Sequence, residues 1–231
     1  MDHCINTVSP SSITLHENKR LKTQADKVIL RQLKAEIFNE SIPTGDTVKK
    51  YFKFATEIKT TSNIAYKNST CEGVAYSVRK LLNKTVDYEV GEVLVCRKYF
   101  KTNGWKCSVN CEFVVKALKG DLVCIRDRTG QQTRTHELNR DLIKQHFIHS
   151  YCRTCHSFQG SSIEGKITIF DWRFFFVNRK WIYTAVTRAT ELKNVCFFAG
   201  PTTEFDETVL NKYLAKEVEN YKNKTFNTTE L

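Results

Sequence analysis

Two stretches of the chain hold chemically capable side chains at short, defined spacing. Residues 154–160 read Thr154-Cys155-His156-Ser157-Phe158-Gln159-Gly160, and residues 183–189 read Tyr183-Thr184-Ala185-Val186-Thr187-Arg188-Ala189. The chemistry open to the second stretch is charge neutralisation. A guanidinium is planar, always protonated and able to donate two hydrogen bonds at once, so it suits the negative charge that builds on phosphate oxygens during phosphoryl transfer to water. Arg188 is such a group, and its neighbours Thr187 and Ala189 are small enough to let a phosphate approach. Taken alone, it reads as a surface arginine on an amphipathic helix.

The two stretches occur in this order with a short apolar strand between them (Ile167, Ile169, Phe170). Together they resemble motifs V and VI of superfamily 1 helicases, T-x-H-x-x-Q-G and Y-x-A-x-T-R-A. Upstream, Leu15-His16-Glu17-Asn18-Lys19-Arg20 resembles motif IV, L-x-x-N-x-R, and Asn63–Tyr66 followed by Lys67-Asn68 resembles motif IVa. The resemblance runs from Leu15 to about Phe198. It implies an α/β fold, a RecA-like parallel-sheet domain that acts as the second of two motor domains. It also implies catalytic contacts from Arg188 and Arg20 to a terminal phosphate, and nucleotide coupling through Gln159, Gly160 and Glu164. Thr154, His156, Asn68 and Thr187 would bind a single strand, DNA ahead of RNA. The implied cofactors are ATP and Mg2+, held mainly by a first RecA-like domain that is the implied partner in cis or in trans.

Within the superfamily the RecD-like, 5′-to-3′ branch carries a small SH3-type β-barrel just before motif V, and residues 88–150 match that insertion in place and length. The implied organisation is 1–87 for the first RecA-like segment, 88–150 for the inserted barrel and 151–231 for the second segment with a C-terminal helix. An ordinary meander extending the main sheet is the alternative for 88–150. Ser157 and Phe158 depart from the lysine and small residue usual in the RecD-like form, and Phe158-Gln159-Gly160 matches some RNA-translocating relatives.

The elements that must position these residues can be read from pattern. Thr23 with Asp26 three residues on predicts a helix start, with Ile29, Leu30, Leu33 and Ile37 as its buried stripe, broken at Pro43-Thr44-Gly45-Asp46. Asn63–Tyr66 reads as a buried strand, and Ser69-Thr70-Cys71-Glu72 as a capping box opening a helix with Val74, Val78, Leu81 and Leu82 on one face. Strand, turn and helix in that order make a parallel α/β unit. Asn68 is also an ordinary turn former, and Arg20 an ordinary solvated charge. Between 88 and 150 the runs 92–99, 106–109, 112–118, 122–127 and 132–136 are short and strand-like, separated by Asn103-Gly104, Lys119-Gly120-Asp121 and Thr129-Gly130. Beyond them, 166–171 predicts a central strand, 179–189 a helix, 194–199 a buried strand and 203–222 a helix.

Composition bounds the function class. A chain of 231 residues that is 41% apolar can bury a core. Its net charge of +11, spread along the chain, suits a polyanionic partner. Nine cysteines, an odd number, with no secretory apolar segment at the start, predict a reducing, intracellular setting without a disulfide framework. Cys107-x3-Cys111 and Cys152-x2-Cys155-His156 have zinc-like spacing, but Cys155 and His156 fall within the first stretch, so no metal site is expected. No apolar run approaches membrane-spanning length. Reading all nine glycines finds no G-x-x-x-x-G-K-[ST] loop, since Gly165-Lys166 is followed by Ile167. The chain alone is therefore expected not to hydrolyse ATP: it reads as a fragment, a split subunit or a degenerate copy. The alternative function is a non-catalytic nucleic-acid-binding or interaction remnant.

Overall fold

The computed structural model describes residues 20–102, 104–128, 134–158 and 161–199. Leu15–Lys19, Gln159, Gly160 and the expected helix at 203–222 lie outside the described residues.

Helix α1 (Gln24–Ile37) begins as its sequence predicts: the Thr23 hydroxyl accepts from the Asp26 N–H at 3.0 Å, and Leu30, Leu33 and Ile37 are buried. Helix α1 ends at Ile37, ahead of the expected break, and Pro43 opens a new helix. The Pro43 carbonyl accepts from the N–H groups of Asp46 and Thr47, and this second helix, α2 (Thr44–Tyr51), starts there. A helix start needs no N–H from its first residues, so proline is tolerated at this point.

Strands β1 (Lys53–Ala55), β2 (Ser62–Ala65), β10 (Cys152–Thr154), β11 (Ile167–Ile169) and β12 (Val195–Phe198) form a parallel sheet in the order β1-β12-β11-β2-β10. As 166–171 predicts, β11 lies at the centre. Successive strand residues face opposite ways, and the cores follow this alternation. Ile64, Ile169 and Phe197 join the cluster under α1, α2 and α5 (Arg179–Val186), whereas Ala65, Phe170 and Phe198 pack with Cys71, Val74 and Val78 of α3 (Asn68–Leu81). Helices thus cover both faces of the sheet.

The capping box expected at Ser69–Glu72 does not form. Helix α3 starts at Asn68, and its N-cap, Lys67, makes no side-chain cap. Asp171, just after β11, replaces the local cap. Its carboxylate accepts from the Lys67 N–H at 2.9 Å, the Tyr66 N–H at 3.2 Å and the Thr70 hydroxyl at 2.9 Å. A negative charge at a helix N-terminus is also favoured by the helix dipole. Tertiary placement has overridden the local signal.

Between α3 and β10 the chain forms an antiparallel sheet in the order β8-β7-β6-β3-β9, from β3 (Val93–Cys96), β6 (Glu112–Lys119), β7 (Leu122–Asp127), β8 (Thr135–Asn139) and β9 (Phe147–His149). A hairpin of β4 (Phe100–Thr102) and β5 (Trp105–Cys107) intervenes between β3 and β6. The short helix α4 (Arg140–His146), capped by the Asn139 side chain accepting from the Leu142 N–H at 2.7 Å, joins β8 to β9. This helix and β9 were not legible in the strand-like runs. The sheet has its own core, built on Leu94, Phe113, Val115, Ile125 and Phe147. Among the described residues the pairing runs from β8 to β9 as its two edges. No helix among them is long and apolar enough to cross a membrane.

Candidate nucleic-acid and phosphate interface

Asn178 caps α5, its side chain accepting from the Trp181 N–H at 2.8 Å. The helix ends at Val186, so Arg188 sits just past it rather than on it. The Thr187 N–H reaches the Tyr183 carbonyl, the Arg188 N–H reaches the Ala185 carbonyl at 3.2 Å, and the Ile163 N–H then bonds the Arg188 carbonyl at 2.8 Å. This fixes the backbone on both sides of the guanidinium. Arg188 donates from Nη1 to the Phe158 carbonyl and from Nε to the Thr184 carbonyl, both at 3.2 Å. Those acceptors are neutral, so the hydrogen bonds orient the cation without cancelling it.

Arg20 arrives at the same place from the other end of the chain. Its Nε donates to the Ser162 hydroxyl at 2.9 Å and its Nη1 to the Thr187 carbonyl at 2.6 Å. Burial holds the Arg188 pKa below the ordinary guanidinium range, and the neighbouring Arg20 charge pushes the same way. Two like charges brought together on a half-buried surface favour an anion between or beside them. Glu164 lies on this side too, where its carboxylate takes the Lys22 ammonium at 3.0 Å. Thr187 belongs with the arginines; its hydroxyl donates to the Thr184 carbonyl at 2.9 Å.

The remaining expected residues gather at a sheet edge. Thr154 pairs with Ala65 in the β10–β2 register, so both strands end side by side. Asn68 is exposed at the first turn of α3, and His156 is exposed on the 3-10 turn Cys155–Phe158 that follows β10. Thr154 is half-buried, and its carbonyl accepts from the Ser157 hydroxyl at 2.8 Å. The structure therefore brings Thr154, His156 and Asn68 to one edge and Arg20, Arg188, Thr187 and Glu164 to another place. The four-residue turn connects them, since it follows directly on Thr154 and its last carbonyl, that of Phe158, accepts from Arg188. Cys155, inside this turn, is buried; burial pushes its thiol up to about 11, with Arg188 opposing.

Two residues that matter here were missed. Arg153, 3% exposed, donates to Ser157 and to Glu112 of the antiparallel sheet, and its guanidinium lies 4.5 Å from the Phe158 ring centre. An arginine within an apolar strand is the signal that was available. Asp171, with φ +55°, follows β11 as a polar residue ending an apolar run. Among the described residues no three His, Cys, Asp or Glu side chains converge as metal ligands.

Residues 149–196 match the UvrD-like helicase C-terminal domain family. No curated protein sequence matches the chain. Solved structures share its fold. A Bacteroides Pif1 bound to ssDNA superposes with a TM-score of 0.55 at 13% identity, covering 88% of this chain and 56% of that one. A Bacteroides Pif1 helicase in complex with ADP-AlF3 and ssDNA gives 0.54 at 13% identity, with 90% and 57% covered. The Pif1 helicase from Candida albicans gives 0.52 at 16% identity, with 90% and 61% covered. The chain thus spans a little over half the length of these proteins. Over that span it shares their fold.

Proposed function

We propose that this chain is the C-terminal motor half of an ATP-dependent nucleic-acid helicase or translocase of the RecD-like, 5′-to-3′ kind. The observation that carries the reading is the convergence of Arg20, held by Ser162 and Thr187, and Arg188, held by Phe158, next to a turn that carries the exposed His156. In this reading a nucleotide held with Mg2+ by the phosphate loop of a first RecA-like domain meets the two arginines on closure of the cleft. Hydrolysis then depends on closure. Gln159, Gly160 and Glu164 pass the nucleotide state to Thr154, His156 and Asn68 on a single strand, DNA ahead of RNA. Residues 1–87 and 151–231 form the RecA-like domain, and 88–150 its SH3-type insertion. Five short antiparallel strands with a one-helix connection before the last support that assignment.

The test is a fusion. Joined behind a phosphate-loop domain from a superfamily 1 helicase, the chain is expected to give DNA-stimulated ATP hydrolysis that Arg188→Ala removes; the chain alone is expected to give none. Hydrolysis by the fusion that does not depend on Arg188, or magnesium-dependent hydrolysis by the chain alone, would overturn the reading.

A further inference from the structure

Three thiols gather where β3 ends. Leu94 pairs with Phe113 and Val95 with Glu112 in the β3–β6 register, and the pairing continues one step further, to Cys96 and Cys111. There the Cys96 N–H bonds the Cys111 carbonyl at 2.9 Å, and the Cys96 carbonyl takes the Asn110 N–H at 2.8 Å. Asn110 has φ +70°, so the two residues set against one make a β-bulge of the kind whose first residue is left-handed. Successive strand residues alternate between faces. Leu94 and Phe113 lie in the core of the antiparallel sheet, so Cys96 and Cys111, each two residues away, point the same way. Cys96 belongs to that core and Cys111 packs against it. Residues opposite each other in an antiparallel pair have Cα atoms about 4.5–5.5 Å apart, inside the roughly 4.4–6.8 Å that a disulfide spans.

The three sulfurs differ in access and in partners. Cys96 and Cys107 are buried, whereas Cys111 is half-buried and is the sulfur that solvent reaches. Cys107 ends β5, and its thiol hydrogen-bonds that of Cys96. This bond holds the Cys96 thiol below the ordinary range, against burial, and pushes that of Cys107 up. At Cys111 it is burial that pushes the thiol up. Cys96 is therefore the readiest of the three to become a thiolate, the form that attacks a disulfide, and Cys111 is the one that a disulfide can reach. Among the described residues, these three included, no three metal-ligating side chains converge. The chemistry open to the cluster is thiol–disulfide exchange, and in a compartment kept reducing such bridges are transient and redox-sensing.

We propose that Cys111, Cys96 and Cys107 form a reversible redox site for small-molecule disulfides, with Cys111 as the entry sulfur, Cys96 as the resolving sulfur and Cys107 as its hydrogen-bond donor. In the first step the Cys111 thiolate attacks a disulfide such as oxidised glutathione, whose S–S bond breaks, and one glutathione thiolate leaves. In the second the Cys96 thiolate attacks the Cys111 sulfur of the mixed disulfide, and the other glutathione leaves. Two protein thiols become one bridge, one disulfide becomes two thiols, and the two protons given up by the cysteines end on the two glutathiones. The bridge closes the loop that carries the β4–β5 hairpin.

The whole chain is incubated with oxidised glutathione, quenched in acid, digested without reduction and mapped to individual cysteines by fragmentation mass spectrometry. The wild type is expected to give peptides joined through Cys96 and Cys111, about 2 Da lighter than the reduced pair and separated again by dithiothreitol. Cys96→Ala is expected to stop after the first step, with a glutathione adduct building up on Cys111. Cys111→Ser is expected to give neither bridge nor adduct at Cys96 or Cys107, and Cys107→Ala to form the bridge more slowly than the wild type. The wild-type map decides the matter where a variant does not fold. Cys96 and Cys111 left reduced, a Cys96–Cys107 bridge with Cys111 free, a Cys107→Ala protein that bridges at the wild-type rate, or equal bridging by folded and urea-unfolded wild type would overturn the proposal.

Discussion

Arg153 and Glu112 lie 41 residues apart and meet in an ion pair of 2.5 Å that fastens the antiparallel sheet to the turn at Cys155–Phe158. The same guanidinium donates to the Ser157 hydroxyl at 3.2 Å and to the Ser157 carbonyl. Burial pushes the Arg153 pKa down, and the Glu112 charge opposes that shift. The other Glu112 oxygen takes Arg128 at 2.5 Å. The pair thus ties β6 to the turn whose last carbonyl accepts from Arg188.

Removing one partner of a buried pair leaves the other charge uncompensated and costs about 3–5 kcal/mol. Glu112→Ala is expected to reach that range, because it strands a fully buried cation. Arg153→Ala is expected to fall near its lower end, because Glu112 is partly exposed and keeps Arg128. The double variant should lose less than the sum, as interacting neighbours do; urea unfolding of the four proteins measures it. Additive losses would show that the pair does not couple. By the same logic, excising residues 90–147 is expected to yield a folded remainder only with Arg153→Leu alongside.

Asp171 is expected to matter more than a surface aspartate. It satisfies three donors at the start of α3 while sitting at positive φ. Asp171→Ala loses the charge-assisted bonds and the short polar side chain that makes the left-handed region tolerable, a cost of about 3 kcal/mol. Asp171→Asn tolerates that backbone and keeps acceptor capacity, so about 1 kcal/mol is expected. Thermal or urea unfolding checks the order. Equal losses would mean that neither the retained acceptor nor the backbone tolerance of asparagine contributes.

Arg188→Lys in the fusion with a phosphate-loop domain is expected to recover little of the hydrolysis that Arg188→Ala removes. An ammonium cannot hold the Phe158 and Thr184 carbonyls while also offering a planar fork to phosphate. The loss expected for alanine is roughly 10³-fold or more, the range for arginine fingers, with single-strand affinity near that of the parent fusion. Single-turnover hydrolysis and strand titration separate the two effects. A lysine variant with near-normal turnover would reduce Arg188 to a point charge.

Single-strand binding by the chain is expected to weaken steeply as salt rises, because displaced counterions drive it. Titrations at two or more salt concentrations give the slope. Tight binding that salt leaves unchanged would contradict a phosphate-contacting edge.

Acid is expected to loosen the antiparallel sheet first. Burial holds the pKa of both His136 and His149 below the ordinary value; Glu92 opposes the shift at His149, and Arg134 adds to it at His136. His136 is stacked on Trp105 at 3.8 Å, and His136 Nε2 and His149 Nδ1 are buried without hydrogen-bond partners. A lowered folded-state pKa means that the unfolded chain binds more protons. Stability is then present above about pH 6.5 and is lost as pH falls below it. The melting temperature should drop as pH falls below about 6.5, and His136→Gln/His149→Gln should flatten that drop. Carboxylates with lowered pKa, such as Glu137, act at lower pH.

The sequence by itself determined what depends on neighbours within about one turn or one strand. Thr23 caps α1 through an N–H three residues away. The alternation Ile64/Ala65 and Ile169/Phe170 divides the two cores, and the spacing of Gly104 and Gly120 marks two hairpins, where each glycine adopts positive φ. Arg188 and His156 could be proposed from sequence because the motifs that hold them are local. Only the tertiary structure decided which distant groups meet. Arg20 reaches Thr187 across 167 residues, and Asp171 displaces the local capping box of α3 across 101. Phe174 meets Tyr66 because β11 lies beside β2 in the sheet. A capping signal competes only within its own turn, whereas the Asp171 carboxylate, delivered by the neighbouring strand, brings a full negative charge to the Tyr66 and Lys67 N–H groups just ahead of it. The order of parallel strands, which no local pattern encodes, therefore sets the site.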